Sequence, residues 1–141
     1  MIDCGFTKEN RWFRYRAAAI IVENECALFA CNETDDYFYS IGGGVHHGET
    51  AEDAVLREVF EETGVHYEID RLAVIHENFF NENGGTLKGL NCHEISFYFL
   101  MIFCQYFSIQ IISKDLSFTI FYHKYQSTSS YDFVIENGCI L

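Results

Sequence analysis

The hydrophobic pattern along the chain changes period several times. Arg16–Glu23, "RAAAIIVE", and Cys26–Cys31, "CALFAC", are short apolar runs that predict two strands around a turn at Glu23–Glu25. Tyr37–Ile41, "YFYSI", predicts a third short strand that runs straight into glycines. Residues 50–63 predict a helix: Thr50 with Asp53 three residues later fits a capping box, and Gly64 suits the residue that stops a helix. A further strand falls within His66–Phe80, around "RLAVIHENFF". Asn81–Asn91, with Gly84, Gly85 and Gly89, predicts a loop, and another strand begins near Glu94. There is no internal repeat.

Ile95–Ile112, "ISFYFLMIFCQYFSIQII", has no charged residue in 18 positions, which is long enough for a membrane span. Two glutamines, two serines and the β-branched and aromatic content argue instead for one or two buried strands, and no positive cluster flanks the run.

The predicted helix ends in an electrostatic oddity, Arg57–Gly64, "REVFEETG". Glu58, Glu61 and Glu62 crowd its last turns, where the macrodipole already places negative charge and each carboxylate costs roughly 0.3–1 kcal/mol. Glu58 and Glu62 add like-charge repulsion of about 0.2–0.5 kcal/mol at i,i+4. At about 100° per residue, with Glu58 at zero, Glu62 lies near ~40° and Glu61 near ~300°. Ala51, Ala54 and Val55 fall on the same side, so the acids continue a stripe of small apolar residues, whereas a solvated charged face sits opposite such a stripe. Arg57 lies off this face, within i,i+4 reach of Asp53 and Glu61.

Three carboxylates on one face are hard oxygen ligands of the kind Mg²⁺ or Mn²⁺ takes. Before the helix, "SIGGGVHHGE" is a loop with little side-chain bulk, where backbone groups can approach a metal or a phosphate closely. A carboxylate-bound cation beside such a loop is suited to phosphoryl chemistry.

Charge and composition fit this picture. The 141 residues are enough for one domain with a core, residues 1–141, and the composition is globular. A formal net charge of −12 disfavours general nucleic-acid binding and anionic membranes, and suits bound divalent cations. The start, "MIDCGFTKENRWFRYR", lacks the apolar core of a secretory signal. The six cysteines (Cys4, Cys26, Cys31, Cys92, Cys104, Cys139) show no CxxC pair and read as reduced, mostly buried thiols of a cytoplasmic protein. A zinc site on Cys92 and His93 is a minor alternative, since no ligand pairs flank it.

Gly43, then Glu49, then Arg57-Glu58-Val59-Phe60-Glu61-Glu62-Thr63-Gly64-Val65 resembles the Nudix box at every fixed position and spacing, over 23 residues. "FRYRAAAII" before it and "HEISFYFLM" after it look like the strands that flank the box in Nudix hydrolases, so the resemblance covers about residues 11–101. It implies an α/β fold, an α/β/α sandwich with a mixed β-sheet and the box as loop–helix–loop. It also implies hydrolysis of a pyrophosphate bond in a nucleoside diphosphate linked to another group, by water attack on phosphorus. Glu58, Glu61 and Glu62 match the family's metal-binding glutamates, and the Gly43 carbonyl is a further ligand candidate. Glu49 matches the first glutamate of the box, and Arg57 the arginine that orients a neighbouring carboxylate. Mg²⁺ is the expected cofactor, with Mn²⁺ as its substitute; the expected partner is a small nucleotide, and homodimerisation is common in the family.

Some members draw a base or extra ligand from outside the box. Glu94 is the candidate here, competing with the plainer reading of a surface carboxylate at a strand end; Glu77 and Glu82 are reserves. His46 and His47 lie in the box loop, as phosphate contacts or as solvated bystanders. "KENRWFRYR", Lys8–Arg16, is the basic cluster, in which Arg16 is a weak substrate-binding candidate; a strand leading into the core is the plainer reading. After Met101 the chain departs from the family pattern. Residues 1–101 hold 18 acids and 7 Lys/Arg, residues 102–141 only 3 and 2, and the chain has no proline. An atypical tail, diverged or frameshifted, is expected there. The alternatives to an enzyme are a non-catalytic nucleotide-diphosphate sensor on the same scaffold and a membrane-associated protein.

Overall fold

The structure is a computed structural model, which describes residues 1–23, 26–31, 38–81, 85–103, 119–124, 135–136 and 139–140. Its spine is β2 (Arg11–Glu23), whose thirteen residues include the run Ala17–Ala19, fully or almost fully buried. Small side chains there let a helix lie close on one face. β6 (Asn91–Phe103) runs parallel to β2 from Arg11↔Asn91 to Ile21↔Met101, and β5 (Tyr67–Asn81) pairs antiparallel outside β6. On the other side of β2 lie three shorter strands: β1 (Gly5–Lys8), β4 (Gly42–Gly44) and β3 (Cys26–Cys31), all antiparallel to it. β7 (Thr119–Lys124) closes the order β5-β6-β2-β3-β7 of a seven-stranded mixed sheet, and β8 (Ile135–Glu136) with β9 (Cys139–Ile140) forms a separate two-stranded ladder.

The single α-helix among the described residues, α1 (Ala51–Thr63), buries Ala51, Ala54, Val55 and Val59. They pack with Ala17, Ala19 and Ile21 of β2 and Phe99 and Met101 of β6, while Ala18 and Tyr98 form a second cluster with Ile20. Because successive strand residues face opposite sides, Arg14, Arg16 and Ala18 alternate onto the face away from the α1 core. The fold is thus α/β with a mixed sheet, and one helix covers one face of it.

Thr50 caps the helix as expected, with the Asp53 carboxylate returning to its hydroxyl. Thr50 Oγ1 accepts from Asp53 N at 3.1 Å and donates to Asp53 Oδ2 at 2.8 Å. Gly64, left-handed at φ 70°, donates its N–H to Phe60 O. Several boundaries differ from the sequence reading. β2 starts at Arg11, so the basic cluster runs along a strand, and β6 starts at Asn91. Of the strand expected at Tyr37–Ile41, Tyr37 lies outside the described residues and the described part forms an isolated Ala30↔Tyr39 bridge, while the ladder forms on the glycines 42–44. The physical reason is proximity: a Cβ on Gly42 would stand 2.3 Å from Ala17 O, so only a chain without side chains pairs with β2 this closely.

Cys92 is buried, and Cys4, Cys26 and Cys31 are partly exposed. Residues 95–103 of the uncharged run lie in β6, and no helix among the described residues is long and apolar enough to cross a membrane. The rest of that run, Glu82 and most of the expected atypical tail lie outside the described residues, although β7 shows that part of the tail pairs with β3.

Candidate metal and phosphoryl-transfer site

The box folds as a tight glycine ladder, a turn and the helix, which brings both of its ends together. Arg57 holds the centre. Its Nε donates to Glu49 Oε1 at 2.9 Å and its Nη2 to Glu49 Oε2 at 3.0 Å, a bidentate pair across eight residues. Nη1 reaches Glu58 Oε1 at 2.5 Å and Glu61 Oε2 at 3.4 Å, and Nη2 also meets Gly44 O at 3.2 Å. Of the two partners within i,i+4 reach, Glu61 is taken. Asp53 instead serves the helix cap, and the principal partner is Glu49, which helical spacing does not reveal. This guanidinium holds the Glu49 carboxyl down at about 2, and Glu49 in turn raises the pKa of Arg57.

The three helix glutamates are in different environments. Glu61 is 58% exposed, whereas Glu58 is 16% exposed. The Glu58 carboxyl is pressed against Gly43, where an added Cβ would fall 2.5 Å from its Cδ. Glu62 is half-buried and its Oε2 is buried without a hydrogen-bond partner. Burial pushes its carboxyl up to about 7, and the charge of Glu58 adds to this, while the charge of Arg16 and the backbone N–H of Gly42 act in the opposite sense. The stripe read from the helix wheel is therefore real for Glu58 and Glu62, and Glu61 sits at its solvent edge.

Among the described residues no three His, Cys, Asp or Glu side chains converge tightly enough to enclose an ion. The cause is visible: Arg57 draws Glu58 and Glu61 to itself. The donor set still fits a hard divalent cation. It offers carboxylate and carbonyl oxygens only, an orphaned carboxylate oxygen on Glu62, and a side-chain-free cradle at Gly43 beside Glu58.

The remaining sequence-predicted residues lie elsewhere or are engaged. Glu94 takes Arg14 Nε at 2.8 Å and Nη2 at 2.5 Å on Oε2, and Ser96 Oγ at 2.8 Å on Oε1. Both of its oxygens are thus held, with partners on the sheet and none in the box. Glu77 pairs with His93 Nε2 at 2.8 Å. His46 sits between Asp3 and Glu49, 3.4 Å from a carboxylate oxygen of each, and its Nδ1 makes no hydrogen bond. His47 is exposed, its backbone N–H donating to Ile2 O. Arg16 is only 7% exposed and bonded to Ser40 and Gly42, so it is part of the site's frame. Asp3 and Ser40 are additions that no sequence pattern marks.

A sequence model of the NUDIX domain matches residues 13–114. The chain belongs to the NUDIX domain family. A MutT-like protein of Streptomyces ambofaciens is 37% identical over 62 residues, spanning 43% of this chain and 40% of that protein. The crystal structure of a MutT NUDIX hydrolase from Burkholderia pseudomallei superposes with a TM-score of 0.52 at 25% identity, covering 62% of this chain and 65% of that one. The mutator MutT protein of Bacillus halodurans gives a TM-score of 0.51 at 22% identity over 62% of this chain and 54% of that one. This NUDIX chain thus spans 40–65% of the length of these relatives.

Proposed function

We propose that this NUDIX domain hydrolyses the pyrophosphate bond of a nucleoside diphosphate linked to another group, with Mg²⁺ or Mn²⁺ held by Glu58, Glu61, Glu62 and the Gly43 carbonyl. The observation that carries the reading is the half-buried Glu62 carboxylate, whose Oε2 has no hydrogen-bond partner among the described residues, beside the cradle where Glu58 meets Gly43. A divalent ion bound there supplies charge neutralisation for the phosphates and lowers the pKa of a bound water. Arg57 and Glu49 orient the carboxylates: the bidentate pair fixes the guanidinium, which in turn fixes Glu58 and limits Glu61. Glu94, with both oxygens engaged, serves as a general base only after giving up Arg14 or Ser96, and this makes Glu61, the exposed box carboxylate, the better-placed proton acceptor. ADP-ribose-like compounds, nucleotide sugars, dinucleoside polyphosphates and oxidised nucleoside triphosphates are all compatible substrates, because the box handles only the shared diphosphate.

The test is product formation from a mixed nucleotide panel with Mg²⁺ and with chelator. Metal-dependent turnover, strongly lowered in both Glu61→Gln and Glu62→Gln, is expected. Near-normal hydrolysis by both variants rejects the metal assignment, and tight nucleotide binding without turnover by the wild type replaces the enzyme by a sensor.

A further inference from the structure

Arg16 is a buried cation whose hydrogen-bond partners among the described residues are all uncharged. It is 7% exposed; Nη1 donates to Ser40 Oγ at 3.0 Å, and Nη2 to Ser40 O at 2.6 Å and Gly42 O at 3.3 Å. Burying a guanidinium with no ion pair among the described residues is costly, and a plain strand-to-loop contact would be made as well by an uncharged side chain. The reason for a charge here lies one peptide further on. Gly42 accepts from Arg16 through its carbonyl, and both the Gly42 backbone N–H and the charge of the guanidinium favour the ionised Glu62 carboxyl. Gly42, at φ 139°, lies so close to β2 that an added Cβ would stand 2.3 Å from Ala17 O and 2.6 Å from Ala18 Cα. The next residue, Gly43, is the one pressed on the Glu58 carboxyl.

We propose that Arg16 is a positioning residue for the metal-binding oxygens. By clamping Ser40 and Gly42 from beneath, it fixes the chain leading into Gly43, and with it the Gly43 carbonyl and the surface against which the Glu58 carboxyl rests. It grips the loop rather than a substrate phosphate. The inference rests on the metal-binding half of the proposed function, and its primary readout is metal affinity, not turnover.

The experiment is Mn²⁺ titration of the full chain, followed by electron paramagnetic resonance, for the wild type, Arg16→Met, Arg16→Lys and Ser40→Ala, with thermal melts and, where turnover exists, kcat and KM for each. Partners that orient metal ligands typically account for roughly 10–100-fold in metal affinity or activity. Arg16→Met is expected to weaken Mn²⁺ binding by roughly that factor, with kcat falling and KM little changed. Arg16→Lys should fall between, since one ammonium cannot reproduce the planar fork, and Ser40→Ala should lose a few-fold. Unchanged Mn²⁺ affinity in folded Arg16→Met overturns the proposal, as does a raised KM with normal kcat, which marks a substrate grip. Should Arg16→Met not fold, wild-type Mn²⁺ affinity in both Arg16→Lys and Ser40→Ala overturns it equally. A wild type that binds Mn²⁺ but turns over no substrate defeats the hydrolase reading alone, because the ranking of Mn²⁺ affinities still supports or overturns the role of Arg16.

Discussion

Replacing Glu62 with glutamine is expected to stabilise the protein in chelator and weaken it in magnesium. Without metal, the Glu62 carboxyl titrates near 7 in the fold instead of its ordinary 4.5, chiefly because burial disfavours the charge. The folded protein therefore binds this proton more tightly than the unfolded chain does. Stability is unaffected below about pH 4.5, falls as pH rises toward about 7, and is flat beyond. At about 1.36 kcal/mol per pH unit, raising a carboxyl from 4.5 to about 7 disfavours its ionised form by roughly 3 kcal/mol. Glu62 is incompletely enclosed, and solvent screening brings the expected figure to about 1–2 kcal/mol. For a chain of this length that is a rise in Tm of roughly 3–8 °C for Glu62→Gln at pH 8 in chelator.

The assay is a set of thermal or urea melts of wild type and Glu62→Gln at pH 5 and pH 8, with chelator and with saturating Mg²⁺. The difference between the proteins should shrink toward zero at pH 5. In Mg²⁺ the order should reverse, since a ligand that binds only the native state stabilises it by mass action and the variant has lost a ligand oxygen. A variant no more stable than wild type at pH 8 in chelator, or a difference that does not change with pH, refutes the reasoning.

Three other perturbations address the rest of the site. Gly43→Ala places a Cβ 2.5 Å from the Glu58 carboxyl; Mn²⁺ titration should show weaker binding, while circular dichroism shows the fold retained. Glu49, held near 2 by Arg57, contributes stability that is present above about pH 4.5 and lost as pH falls toward 2; Glu49→Gln should flatten that acid limb in melts between pH 5 and 2. Thr50→Ala removes the cap on Asp53 N and should cost about 1 kcal/mol in urea unfolding, independently of metal.

The helix, its caps and the box were legible in the sequence because each depends on local chemistry: Thr50 caps within three residues, and Gly64 ends the helix by its own φ. The glycine ladder was misplaced because strand patterns are read from side chains, and the residues that pair with β2 there have none. The pair Glu49–Arg57 spans eight residues and two elements, so no periodicity announces it. Glu94 was a reasonable carboxylate at a strand start, but the parallel register of β2 and β6 sets it opposite Arg14, and a long-range register cannot be read from either strand alone. Arg16, a weak substrate-binding candidate in the basic cluster, is buried beside β4, in line with the plainer reading of a strand leading into the core.

The distribution of charge across the site explains why acids occupy the unfavourable end of α1. The last turn carries no basic residue, so the macrodipole there is uncompensated from within the helix. Arg57 neutralises what it can reach, pairing Glu49 and touching Glu58 and Glu61, and Arg16 addresses Glu62 only through Gly42 and across space. Four carboxylates, Glu49, Glu58, Glu61 and Glu62, stand against two guanidiniums, Arg16 and Arg57, leaving a formal excess of two negative charges when all are ionised. Basic side chains in the last turn would offset this excess; their absence there leaves Glu62 costly to ionise. The penalty and the metal affinity are then two measurements of one arrangement, and a substitution that removes the first should remove part of the second.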